Sequence, residues 1–542
     1  MAVVPRDPRR DLRHHRDTTQ PRHQQGGSAM SEEPNRLDDF AHRTRTVVTT
    51  AVTSVAVIAL FAALTVVPPR SGAHDAPTVA DASVSEQASA QQTLRYCPAA
   101  MTIADTESYG DEEFHTSTGD LASARRYAAF GSVFHAQADA LGAGDATDGL
   151  VLEGADGKDD ADVFIAGQDK DDDATMLDTR LLSATDGTGS AGAVASWATT
   201  GDITGIAAAS CVTPALTQRF LVPSTTTGNT QQLVVANPAD KPTSVDIAIW
   251  GVKGGRITPA TSSILTVGAD GEDDMLLNAA APDEQGLYVE VTSHDAPVGA
   301  VVRSSAMDGL TPHGNDYVTP LPQAATTQTI MLPDADASTT LSAYADKDAT
   351  VTLSWMSDHG LVDLGRLDVR GGKVALKELK DRPKDAHAIL AQSDAPCSIT
   401  AQSAVEGADG RRDYAVIDAH TAYAQSALAL PAGIDATLAI ANMGEGRATV
   451  TFTGYDAHGE ETGTRQVKVD ADSSTTLDAD DLGKDVAAIR VDDADPAIVW
   501  GAFVTNAKLR DAKTAALAYV PATSLAVPRQ LVHAFNDPGI VR

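Results

Sequence analysis

The residues of this chain with chemistry to offer are three cysteines, a belt of aspartates and a few histidines placed near glycines. Cys97, Cys211 and Cys397 all follow the uncharged, apolar run at 46–67. A pair of thiols that far along an exported chain meets an oxidising setting, where a disulfide persists. Cys97 opens the first folded region and Cys211 lies near its end, so a Cys97–Cys211 bridge is expected. Such a long loop would restrain the unfolded chain by about 3–5 kcal/mol in the entropy model. Cys397 then stays a free thiol. In Asp394-Ala395-Pro396-Cys397-Ser398-Ile399-Thr400 it alternates as a strand residue does, with no histidine or basic neighbour to lower its pKa.

The acids promise less. Asp169-Lys170-Asp171-Asp172-Asp173 resembles the opening of a calcium loop, but the sixth and twelfth positions are Ala174 and Arg180. An EF-hand needs glycine and a bidentate glutamate there, so a solvated acidic loop is the better reading. The cysteines are too far apart and the histidines too scattered for a zinc site. Ser190, in Gly189-Ser190-Ala191-Gly192, lacks the spacing of a nucleophile elbow. His359 and His458 each precede a turn glycine, Gly360 and Gly459, and read as exposed turn-tip residues. Trp250, Trp355 and Trp500 read as core residues, with sugar stacking open to any that is exposed. Asn237 and Asn442 match each other before a turn, as local Asx bonding explains. No catalytic residue, metal ligand or cofactor is assigned, and the chain is not read as an enzyme.

The elements that carry these residues repeat. Leu221-Val222-Pro223, Leu332-Pro333 and Leu430-Pro431 each open a segment. Next come Leu233-Val234-Val235-Ala236-Asn237, Leu341-Ser342-Ala343-Tyr344-Ala345 and Leu438-Ala439-Ile440-Ala441-Asn442, and then alternating runs from Val245, Val351 and Val450. A glycine follows each of those valines by nine residues, at Gly254, Gly360 and Gly459, where a hairpin turn would use its freedom at positive φ. Later prolines, Pro297, Pro396 and Pro496, keep the same register. A period of roughly one hundred residues with period-two alternation predicts an antiparallel β-sandwich in each copy, and a propeller blade of about 40–50 residues is too short for it. The expected fold is therefore mainly β, with tandem sandwich-like repeats at 220–323, 324–425 and 426–525 and a tail at 526–542. The region 95–219 is expected to be an irregular β domain with an acidic insertion (156–162, 169–173), in which 121–141 reads as helical and 192–197 and 205–211 read as closing strands that match the end of the later copies.

Before these modules the chain runs through a disordered head at 1–45, a transmembrane helix at 46–67 and an Ala/Ser/Pro-rich tether at 68–94. A helix needs about 20 apolar residues to span the hydrocarbon core, whereas a cleavable signal needs only about 7–15. The 22 uncharged residues therefore read as a retained anchor rather than a leader cut at Ser71-Gly72-Ala73. Arg36, Arg43 and Arg45 precede the run and only Arg70 follows closely, which places the N-terminus in the cytoplasm and the rest outside. Met30 opens a more ordinary leader, leaving the start open between Met1 and Met30. With 74 Asp and Glu against 41 Lys and Arg, the net charge of −33 repels phosphate backbones and argues against nucleic acid as a partner.

The pairing of Tyr96-Cys97-Pro98 with Ser210-Cys211-Val212-Thr213-Pro214, followed by Thr225-Thr226-Thr227-Gly228-Asn229-Thr230 and Leu233-Val234-Val235-Ala236-Asn237-Pro238, resembles the actinobacterial exported proteins grouped as DUF5719. The sharpest stretch is 211–251, although Arg219-Phe220-Leu221-Val222-Pro223 stands where a Trp and paired glycines are the family pattern. The resemblance implies an exported envelope protein and brings no catalytic residues. The expected function is binding, scaffolding or spacing in the cell envelope, with an envelope glycan or another envelope protein as partner. The alternative is an accessory factor, or a divergent enzyme, of envelope glycopolymer assembly, for which the acids of the first region would have to supply a carboxylate pair.

Overall fold

The computed structural model describes residues 83–104, 115–142, 149–154, 162–169, 173–334, 336–492, 497–527 and 529–535. The head, the uncharged run 46–67, most of the tether and the end of the tail lie outside the described residues, as do the aspartates within 155–161 and 170–172. Among the described residues no helix is long and apolar enough to cross a membrane.

The chain is mainly β, and its sheets are antiparallel. Four modules share one plan. In the second, eight strands follow in order: Thr217–Val222, Asn229–Asn237, Thr243–Gly251, Gly255–Ile257, Gly271–Leu276, Leu287–Ser293, Gly299–Asp308 and Thr311–Val318, with Ile264–Val267 as an extra edge. Counted along the module, one sheet runs first-sixth-third-fourth and the other fifth-second-seventh-eighth. The fourth module repeats this with Ser426–Ala429 first and Ala518–Pro521 last. In the third, from Ala325–Met331 to Arg412–Asp418, the sixth and seventh strands fuse into Ala388–Glu406, which passes from one sheet to the other. Pro396 lies inside that long strand, not in a loop between two.

The first module follows the same plan. Gln92–Cys97 pairs with Thr175–Leu181, which pairs with Val133–Ala140; Ala122–Phe130 lies between Val163–Asp169 and Gly189–Ala198, and Gly205–Ser210 closes the sheet. The helix expected at 121–141 is instead two strands, Ala122–Phe130 and Val133–Ala140, turning at Gly131 with φ 75°. Alanine favours a helix locally, but burial on a sheet overrides that weak preference. The expected tether is also partly ordered, since Ser83–Ser89 pairs with Arg529–Phe535 from the expected tail and the first module's sheet begins at Gln92.

Burial follows the number of covered faces. Thr243–Gly251 and Ala448–Tyr455 alternate buried and partly exposed residues, as strands with one packed face do. Gly189–Ala198 is buried at every position, because one face packs toward the disulfide and a cluster shared with the second module, and the other packs on the fourth module. Small side chains, Gly-Ser-Ala-Gly-Ala-Val-Ala-Ser, let the two layers approach there.

The expected turn glycines behave as such at Gly360 (φ 110°) and Gly459 (φ 80°), while in the second module the positive φ falls one residue later, on Gly255 (φ 74°).

The modules close a ring. The first strand of each lies against the seventh strand of the next, and the fourth module's Ser426–Ala429 returns to Ala122–Phe130 and Gly189–Ala198 of the first. The four eighth strands, Gly205–Ser210, Thr311–Val318, Arg412–Asp418 and Ala518–Pro521, meet at the middle.

Candidate functional site

Edge strands carry backbone amides with no ladder partner, and burying them unmatched is costly. At the middle of the ring, carboxylates answer them. Asp413 Oδ2 accepts from Ile206 N and Leu517 N, both at 2.9 Å, and Oδ1 accepts from Asn315 N at 3.3 Å. One side chain of the third module thus binds backbone from the first, second and fourth. Asp316 accepts from Ala208 N at 3.3 Å and Val416 N at 2.8 Å. Close approach needs a missing side chain: a Cβ on Gly205 would stand 2.6 Å from the Asp413 carboxyl. Burial raises the pKa of both acids well above the usual carboxylate range, and the amides oppose that rise.

Asp418, nearby on the same strand, accepts from Thr400 Oγ1 and Thr319 Oγ1, each at 3.1 Å. Burial pushes its pKa up to about 7. A carboxyl raised in the folded state stabilises the fold below its unfolded pKa, near 3.9, and that stability is lost as pH rises through about 7. Thermal unfolding is therefore expected to show the wild type gaining on Asp418→Asn as pH falls from 8 to 5, with the variant the more stable at pH 8. A constant difference across that range would refute the assignment.

A cleft of about 790 Å³ lies where the second and third modules meet. The joining segments 211–215 and 319–324 line it. Arg219 Nε binds Glu290 Oε2 at 2.8 Å across paired strands, and beside them Tyr288 and Tyr344 stack with ring centroids 3.6 Å apart. Burial lifts the Tyr344 hydroxyl's pKa to about 12, so both it and Tyr288, lifted further, stay protonated at neutral pH. Gln218 is 4% exposed; its amide nitrogen donates to Thr213 O at 3.1 Å while Oε1 has no partner. Neither ring nitrogen of His420 has a partner, and burial pulls its pKa down to about 4, leaving a neutral imidazole. The cleft thus combines an ion pair with apolar tyrosine and proline surfaces, while the unpartnered Gln218 Oε1 and His420 nitrogens are sealed in its wall. It offers no nucleophile paired with a base.

The residues singled out by sequence do not converge here. Cys97 and Cys211 are joined, with Cα atoms 4.3 Å apart, and both sulfurs sit in the first module's core. A Cβ on Gly192 would lie 2.5 Å from the Cys211 sulfur, so that glycine makes room for the bridge. Cys397 is fully buried, and burial raises its thiol pKa. Ser190 lies buried in a strand. Trp355 and Trp500 are core residues, whereas Trp250 is half-buried with the Arg256 guanidinium 5.7 Å above its ring. Asn237 and Asn442 make the same network: each amide nitrogen donates to a carbonyl of its own turn and to one of a neighbouring turn, and each Oδ1 accepts from the amide two residues on. His458 is exposed. His359 is exposed as well, and its ring and the Asp358 and Asp385 carboxylates place ligand atoms within 4.8 Å of one another at the surface, an arrangement common in exposed acidic groups without an ion. Asp169 and Asp173, the described ends of the acidic run, are not part of that group.

Sequence reasoning missed Asp413, Asp316, Gln218 and His420. A signal existed for the first two: Asp316-Tyr317 and Asp413-Tyr414 repeat in the eighth strands of adjacent modules.

Fold and site together define an all-β protein of four like modules, closed around shared buried carboxylates and carrying a polar and aromatic cleft between two of them. The family model described as "Family of unknown function (DUF5719)" matches residues 165–480, more than half of the chain, and the chain belongs to that family. No curated protein and no solved structure matches it.

Proposed function

We propose that the chain is a single-pass, membrane-anchored protein whose ring of β modules lies outside the cytoplasmic membrane and serves as a binding and spacing platform in the cell envelope. The cleft is its recognition site, and the ligand is an envelope glycan. The uncharged run 46–67 and its arginine flank support the anchor and its orientation. The Cys97–Cys211 bridge supports an oxidising compartment.

The observation that carries the recognition reading is the cleft's lining. Arg219 donates, Glu290 accepts, and the tyrosine edges and prolines supply apolar contact. That mixture suits a polyhydroxylated ligand, whose faces are apolar and whose rim both donates and accepts. The test is a glycan array probed with the full chain. Binding to a defined set of glycans is expected, and Arg219→Ala, on a half-exposed side chain, should weaken it by tenfold or more. Retention no better than a blank surface would end this reading. Turnover of a cell-wall polymer, lost in Glu290→Gln, would favour an enzyme of glycopolymer assembly instead.

A further inference from the structure

A second cavity, of about 280 Å³, opens where the first module meets the chain beyond the fourth. Its walls include Leu94, Leu181, Pro214, Pro297, Leu525 and Val527. One cation stands among them. Arg95 Nη1 donates to Thr213 Oγ1 at 3.2 Å, and Nε is sealed from solvent with no partner. Among the described residues no carboxylate comes within ion-pairing distance of it. Burial alone pulls its pKa down to about 10, with no acid acting the other way, so it is still charged at neutral pH. Two other half-buried arginines differ: Asp169 opposes the burial of Arg126, and Asp334 that of Arg382.

Sealing one edge of a guanidinium from water without an anion beside it carries a cost, and in a chain of net charge −33 acids abound that would relieve it. A planar fork of donors on an apolar floor is suited to an oxyanion head that carries a hydrocarbon chain.

We propose that this pocket binds an anionic amphiphile of the membrane surface, with its phosphate or carboxylate head on Arg95 and Thr213 and its chain against Leu94, Leu181 and Leu525. The pocket wall begins at Ala90, directly after strand Ser83–Ser89. Only residues 68–82 separate that strand from the uncharged run, a stretch that reaches roughly 50 Å at full extension. A membrane source for the ligand rests on the anchor proposed above, whereas binding of a soluble amphiphile does not.

The test uses the full chain and three probes below their micelle thresholds: decyl phosphate, decyl maltoside and inorganic phosphate, followed by calorimetry. Decyl phosphate is expected to bind at least tenfold more tightly than either of the others. Arg95→Gln should lower that affinity tenfold or more and leave decyl maltoside within twofold. Leu94→Asn, at a partly exposed position, should weaken decyl phosphate severalfold and serves as the readout if the arginine variant does not fold. Equal binding of decyl phosphate and inorganic phosphate would reduce the site to a plain anion contact and overturn the proposal. So would a rise in decyl phosphate affinity on Asp75→Asn with Asp81→Asn, which would make the chain's own tether the occupant.

Discussion

Replacing Asp413 with alanine is expected to destabilise the ring by about 3–6 kcal/mol. The amides of Ile206, Asn315 and Leu517 would each lose an acceptor in a site sealed from solvent. A buried donor without a partner costs about 1–3 kcal/mol, and water entering the small cavity would recover part of it. Three other modules meet on this one carboxylate, so the loss should be felt by all of them and not by the third module alone. Urea unfolding should show a lower midpoint with little change in slope, and hydrogen exchange at Ile206 and Leu517 should accelerate with exchange at Asn315. A shift under about 1 kcal/mol, or faster exchange confined to the third module, would show that the ring does not depend on this contact.

Removing the disulfide is the other large effect. The bridge spans 114 residues of sequence, and the loop-entropy relation gives about 4–5 kcal/mol for a loop of that size. The double variant Cys97→Ala with Cys211→Ala should lose that amount in chemical unfolding, with a further contribution from the vacated core. Reductant should destabilise the wild type and leave the double variant unchanged. Because Cys397 is unbridged and buried in the third module, its replacement by alanine should not alter the response to reductant. If reduced and oxidised wild type unfold at the same denaturant concentration, the bridge contributes little and the first module is held by its packing.

How much was legible differs from element to element. The alternation at Thr243–Gly251 and Ala448–Tyr455 is local, with one face packed and one wet, and the repeated Leu-Pro and Ala-Asn landmarks mark equivalent places in a common strand order. The asparagines were legible for the same reason, since their partners lie on neighbouring turns. The first module was legible only at its end, where 192–197 and 205–211 read as strands and Gly189–Ala198 and Gly205–Ser210 are strands; the alanine-rich stretch at 122–140 reads locally as helix. The candidate sites were hidden more deeply. An aspartate in an edge strand ordinarily faces water, and only the arrival of Ile206, Asn315 and Leu517 from other modules turns Asp413 into a buried acceptor.

By itself, then, the sequence determined the β character, the cysteines available for bridging and the family, because each depends on residues near one another or on pattern alone. Tertiary structure alone decided that the modules form a closed ring, that the first obeys the same plan, and that Gln218, His420 and Arg95 face cavities. The reason is physical: whether an unpaired amide, amide oxygen or guanidinium is wet or buried depends on surfaces contributed from a hundred or more residues away, and local periodicity carries no record of them.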